Sequence, residues 1–421
     1  MLKSRYFLFL LLFFIGWSSR ASFILLPMDE AQQNHLKAYG ITYWCLDKQY
    51  KASWLLNYRG GSFLLPDAPE IRKECQIRGV TSEVLSDGDA NAILEEISSP
   101  SQNMETVVLE KAPKIAVYTP KGKQPWDDAV TLVLTYAEIP FTPIYDEEVL
   151  SDGLLLYDWL HLHHEDFTGQ YGKFYGSNRN SPWYIEQKKD AEALATKLGY
   201  AKVSEEKLAV AKKIRDFVIG GGFMFAMCSA TDSFDIALSA AGVDICEPMF
   251  DGDESEGNYQ SKIDYSQTFA FKDYILERNP IVYEFSDIDM TTKRSNVPME
   301  KDYFTLMDFS AKWDPIPSML CQNHTSLVKG FMGQTTAFNR DLIKTNVLVM
   351  GENQINGEAR YIHGEKGKGM FTFYGGHDPE DYQHRVGDAP TVLDLHPNSP
   401  GYRLILNNVL FPAARKKKQK T

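Results

Sequence analysis

From residue 113 onward, short and almost continuous apolar runs alternate with amphipathic stretches. This alternation constrains the fold more than any other feature. The runs Lys114–Tyr118, Pro140–Tyr145, Leu154–His163 and Phe223–Met227 have the length and composition of buried strands. Between and after them lie helical patterns: one opened by Pro125-Trp126-Asp127-Asp128, then Pro182–Leu198, Ser204–Ile219 and one starting near Thr231. Strands apolar on both faces, separated by helices, predict an α/β fold with a doubly wound, mostly parallel sheet covered by helices on both sides. Asn346–Met350, Glu358–His363 and Gly369–Tyr374 return to strand, with a hairpin turn at Gly364–Gly369, and Ser399-Pro400 opens a closing helix to about Leu410.

The rest of the chain organises around that block. Residues 1–21 read as a signal peptide, with Lys3 and Arg5 ahead of an apolar run from Tyr6 to Trp17 and Ser19-Arg20-Ala21 as the cleavage site. Residues 22–110 read as a small N-terminal α/β domain. In it Ile41–Leu46 and Ala52–Tyr58 are predicted as paired strands, and Asp67–Arg78 and Ala90–Ile97 as helices. The main domain spans 111–413, with a less regular insertion at about 243–340 and a basic tail over 414–421. No segment after residue 21 is long and apolar enough to span a bilayer, so an exported protein, periplasmic or secreted, is expected. A formal net charge of −12 argues against nucleic acid as a partner. Five cysteines, an odd number, leave at least one thiol outside any intrachain disulfide.

In parallel α/β sheets chemistry sits beyond the carboxyl ends of the strands. Three segments fall there. Cys228 lies between the Phe223–Met227 strand and a helix, where a turn exposes a nucleophile and the helix dipole lowers a thiol pKa. His377 follows Gly375-Gly376 beyond another strand and is placed to act as the base, with Glu380 or Asp378 to orient it. The run His161-Leu162-His163-His164-Glu165-Asp166 follows a third strand. Its His161, His163 and His164 are candidate ligands for half of a transition-metal site, completed by His377, His384 or Cys228. A solvated polar loop is the alternative. No other cofactor is indicated. Trp126, Trp159, Trp183 and Tyr184 read as core, and Asn323-His324-Thr325 is a formal glycosylation sequon.

The same residues carry a resemblance. Lys114–Leu410 resembles the class I glutamine amidotransferase-like, flavodoxin-like fold, also found in trehalose-utilisation-type proteins. The matching pieces are the strand–Cys228–helix elbow, Tyr157-Asp158-Trp159-Leu160 before the oxyanion-loop position, His377-Asp378-Pro379-Glu380, and Pro400–Asn408. The resemblance implies Cys228 as nucleophile, His377 as base, Glu380 as orienter, and Ser229 amides, His164, Glu165 and Asp166 around the substrate. The elbow glycines are Ala226 and Ala230 here, and one residue separates His377 from Pro379.

Nearly the whole chain after residue 21 also resembles exported bacterial proteins labelled asparagine synthetase B, most closely in Trp54–Pro66 and Trp159–Tyr171. That synthetase chemistry requires a cysteine at position 2 and a Ser-Gly-Gly-x-Asp-Ser loop; Leu2 stands at the first and the second is missing. The expectation is therefore an exported hydrolase acting on an amide or other C–N bond of a small molecule through a Cys–His pair. The alternatives are a non-catalytic binding or scaffolding protein of the same fold and a metal-dependent hydrolase.

Overall fold

The computed structural model describes residues 21–122, 124–294, 296–320, 325–383 and 385–414. The residues before Ala21, read above as most of a signal peptide, Cys321, most of the sequon, His384 and the basic residues beyond Ala414 lie outside the described residues.

The N-terminal unit contains β1 (Ala21–Leu26), α1 (His35–Asp47), β2 (Ala52–Leu56), β3 (Ser62–Pro66), α2 (Pro69–Arg78), β4 (Glu83–Ser86), α3 (Asp87–Ser98) and β5 (Glu105–Leu109). Its strands form an antiparallel sheet in the order β4-β1-β3-β2-β5. Ile41–Leu46, expected as a strand, lies in α1. The reason is burial. Ten of the 13 residues of α1 are buried, so the helix is apolar nearly all round and shows no helical stripe. Asn34 caps it by accepting from the Lys37 amide at 2.9 Å.

The second unit runs β6 (Ile115–Tyr118), α4 (Ala129–Tyr136), β7 (Thr142–Ile144), α5 (Asp146–Leu150), β8 (Trp159–Leu162), the short α6 (Tyr175–Asn178), α7 (Pro182–Lys197), α8 (Val203–Gly220), β9 (Phe223–Met227) and α9 (Ala230–Ser239). The short helices α10 (Pro248–Asp251) and α11 (Thr291–Arg294) follow. Then come β10 (Tyr303–Leu306), β11 (Leu327–Lys329), β12 (Phe338–Asn339), β13 (Leu348–Asn353), β14 (Glu358–Lys366), β15 (Gly369–Tyr374) and α12 (Pro400–Leu410).

The large sheet has the order β11-β10-β13-β14-β15-β9-β8-β6-β7, with β12 beside β14. Its β15-β9-β8-β6-β7 half is parallel. Counted along the chain, that half has the strand order 2-1-3-4-5. The other half is antiparallel. The expectation of a mostly parallel sheet is corrected to a mixed one, because β13, β14 and β15 follow one another through connections too short for a parallel crossover. Alternate strand residues feed opposite cores: Val117, Trp159 and Phe225 pack toward α4 and α12, whereas Ala116, Leu160 and Met224 pack toward α8 and α9.

The N-terminal unit shares the first of these cores. Buried Arg403 of α12 donates to Tyr39 Oη, the Met28 carbonyl and the Gly60 carbonyl. Gly40 of α1 lies where an added Cβ would come 1.8 Å from the Ala137 carbonyl oxygen at the end of α4. Gly40→Ala is therefore expected to destabilise the protein by about 1–3 kcal/mol, although alanine favours helix. Denaturant unfolding checks this, and an unchanged midpoint would refute the close approach.

Candidate functional site

Neighbouring strands in a sheet lie about 4.8 Å apart, so residues just past the ends of adjacent parallel strands must meet. The sequence places His163 and His164 after β8, Cys228 after β9 and Gly376-His377 after β15, and these strands are neighbours in the order β15-β9-β8. One ring nitrogen of each of His163, His164 and His377 and the Cys228 Sγ all lie within 4.8 Å of one another. The His163 and His164 rings stack with centroids 3.8 Å apart, and His377 lies 4.7 and 4.6 Å from them.

Cys228 sits on a strained turn, with φ of +50°, in the region that non-glycine residues occupy at a cost of about 1 kcal/mol. Its amide donates to the Gly376 carbonyl at 3.2 Å, and the Ala230 amide donates to the His163 carbonyl at 3.0 Å. These two bonds stitch the three strand ends together. Gly376 itself has φ of +97°, and a Cβ there would strike Phe331. The small Ala226 and Ala230 leave the elbow tight without glycine.

The expectation of a low thiol pKa is corrected. Burial pushes the Cys228 thiol up to about 12, the nearby Asp289 and Asp232 add to this, and the backbone amides of Ser229 and Gln334 only partly oppose it. The thiol is 5% exposed, so the desolvation cost outweighs the helix dipole of α9.

Hydrogen bonding sets which nitrogen each imidazole turns to the cluster. The His164 Nε2 lies 2.8 Å from the Asp127 carbonyl and must donate to it, which leaves Nδ1 as the lone-pair atom. The His163 Nδ1 lies 3.1 Å from Asp128 Oδ2, and its Nε2 has no hydrogen-bond partner although the residue is buried. His161, also a candidate ligand, faces away. Its Nδ1 donates to the Phe225 carbonyl at 3.1 Å and its Nε2 meets Asp128 Oδ2 at 3.0 Å. Burial alone would raise Asp128, but His161 and His163 hold its carboxyl well below the usual range. Burial and then His163 keep His164 well below the ordinary imidazole value, hence neutral.

The remaining expected residues have other surroundings. Glu380 Oε2 lies 3.1 Å from His396 Nδ1. Asp166 ties its own loop, accepting from the Thr168 amide and hydroxyl at 2.6 Å each and from the Gly172 amide at 3.0 Å. Glu165 is pushed up to about 8 by burial, against the pull of Lys207. Ser229 is buried at the start of α9 and contributes its backbone amide.

Asp128 was not singled out as a site residue. In the sequence it reads as a helix-opening acid, and it does cap α4, accepting from the Thr131 amide at 2.8 Å. The Pro125–Asp127 segment, expected inside that helix, instead forms the loop leading to the cap. There Trp126 packs 5.4 Å from His164 and 5.2 Å from Phe174.

No family model and no curated protein matches the sequence. Two solved structures are similar in part. The Cytoplasmic Protein STM3548 from Salmonella typhimurium is 12% identical over 72% of this chain and 100% of its own, with a TM-score of 0.34. The Cytoplasmic Protein STM1381 from Salmonella typhimurium LT2 is 12% identical over 65% and 91%, with a TM-score of 0.31. Likenesses at this level carry no argument about activity. What the structure shows is a mixed α/β protein with parallel strands, and no helix among the described residues is long and apolar enough to cross a membrane.

Proposed function

We propose that this chain is an exported hydrolase of class I glutamine amidotransferase-like architecture, cleaving an amide or other C–N bond of a small molecule at the Cys228 centre. The observation that carries the reading is the convergence of a thiol on a positive-φ elbow with three imidazoles at the ends of adjacent parallel strands. With side chains alone, the Cys228 sulfur attacks the carbonyl carbon and an S–C bond forms. His377 takes the thiol proton and passes it to the leaving nitrogen as the C–N bond breaks. Water then hydrolyses the thioester, which releases the acid and restores the thiol. The backbone amides of Ser229 and Gln334, already beside the sulfur, suit the oxyanion.

A panel of primary and secondary amides identifies a substrate, and Cys228→Ala is expected to lower its turnover by about 10³-fold or more. Unchanged turnover in that variant would sink the reading.

The burial of the thiol favours a second reading, a binding protein that keeps the fold without the reaction. It predicts slow alkylation of Cys228 at neutral pH, unaffected by His377→Ala, together with no turnover across the panel.

A further inference from the structure

We propose that Cys228, His163, His164 and His377 hold one divalent transition-metal ion of the Zn²⁺ type, with Asp128 as the positioning residue behind His163. The inference rests on the same reaction centre as the proposed hydrolysis, but not on turnover. Three nitrogens and one sulfur are the donor set that Zn²⁺ and Co²⁺ take in tetrahedral sites. Tetrahedral coordination puts donor atoms about 3.3–3.7 Å apart, so the present spacing, within 4.8 Å, closes by about 1 Å onto an ion.

Two features mark the cluster as built for a ligand rather than as a chance group. First, His163 is 1% exposed, one of its ring nitrogens belongs to the cluster, and its Nε2 has no hydrogen-bond partner. A buried, unpaired ring nitrogen costs free energy unless something accepts its lone pair. Second, the outer contacts pre-set the tautomers. The Asp127 carbonyl fixes His164 as an Nδ1 donor to the ion, and the Asp128 carboxylate 3.1 Å from Nδ1 favours His163 as an Nε2 donor. A carboxylate behind a ligating imidazole is the usual outer support of a metal site. His161 shares Asp128 but spends its other nitrogen on Phe225, so it braces the support and does not ligate.

A bound ion would take Cys228 as thiolate, and with four donors from the chain it would fill a closed tetrahedral site that ties the three strand ends together.

The test uses the full chain, stripped with a chelator, loaded with Zn²⁺ or Co²⁺ and dialysed. Elemental analysis should give about one equivalent per chain. The Co²⁺ form should show a thiolate-to-metal charge-transfer band that disappears in Cys228→Ser. Asp128→Asn keeps the α4 cap through its carbonyl oxygen but loses the charge on His163. It should weaken the affinity about 10- to 100-fold while keeping the band at saturating Co²⁺. Under about one-tenth equivalent after loading of folded wild type, with no charge-transfer band, overturns the inference. Amide turnover by such metal-free protein would leave the hydrolase reading standing. A full metal complement with no turnover would do the reverse.

Discussion

Replacing Asp302 with alanine is expected to destabilise the protein by about 3–5 kcal/mol, seen as a large fall in the denaturation midpoint. Asp302, Arg294, Arg360 and Glu358 are all buried. Asp302 accepts from Arg294, and both of its oxygens accept from Arg360 at 3.0 Å; Glu358 accepts from the other side of Arg294. Two guanidinium groups and two carboxylates thus balance in the buried interior. Removing one carboxylate leaves two buried cations facing a single anion, and a buried unpaired charge costs far more than an exposed pair gains. Asp302→Asn keeps the shape and one acceptor but loses the charge, so its loss should be smaller and still well above 1 kcal/mol.

The effect should reach the site. Arg360 also donates to the carbonyls of Phe331 and Thr336, at 2.8 and 2.7 Å. The segment between them supplies the Met332 carbonyl that accepts the His377 amide at 3.0 Å and the Gln334 amide beside Cys228. Loss of this charge network should therefore speed alkylation of Cys228 as the loop loosens. A change of under 1 kcal/mol in Asp302→Ala would mean that water reaches the cluster and screens it.

That network shows where reading the sequence stops. The parallel half was legible because β6, β8 and β9 are apolar on both faces and the helices between them have recognisable starts. The positions just past three strand ends are Cys228, His163-His164 and His377. The antiparallel half and α1 were read less well, for opposite reasons. Strands β10 and β11 alternate buried and exposed residues over four and three positions, too short a pattern to stand out in a charged insertion. Helix α1 is buried on nearly all sides, so its β-branched and aromatic residues look like strand.

Partner choice was illegible throughout. Spacing shows that Glu380 lies near a histidine but not that His396, sixteen positions on, approaches its carboxylate. An acid at a helix start reads as a cap, and nothing local reveals that Asp128 also serves two imidazoles from β8 and its following turn.

The pH dependence of stability should carry a large contribution from Asp289, which lies close enough to act on the Cys228 thiol. Its oxygens accept from the Thr291 amide and hydroxyl at 2.8 and 2.6 Å and from the Thr335 amide at 2.9 Å. Burial nevertheless outweighs these bonds and pushes the carboxyl up to about 7. In the unfolded chain the same group titrates near 3.9. The folded state therefore binds the extra proton, so the stabilisation is complete below about pH 4 and is lost as pH rises toward 7. Above that both states are ionised and the curve flattens. With about 1.4 kcal/mol per unit over about 3 units, the loss is about 4 kcal/mol.

Asp289→Asn isolates the effect from every other titrating group. The amide cannot ionise, and its NH₂ faces the Thr335 N–H, which adds a cost independent of pH. The variant should be less stable than wild type at pH 4, and the difference should shrink or reverse by pH 8. A difference that stays constant across that range would show that the folded protein already holds Asp289 ionised. The direction matters for the site. A neutral Asp289 removes an opposing charge and eases formation of the Cys228 thiolate, whereas ionising it, as pH rises, opposes the thiolate that attack by the sulfur requires.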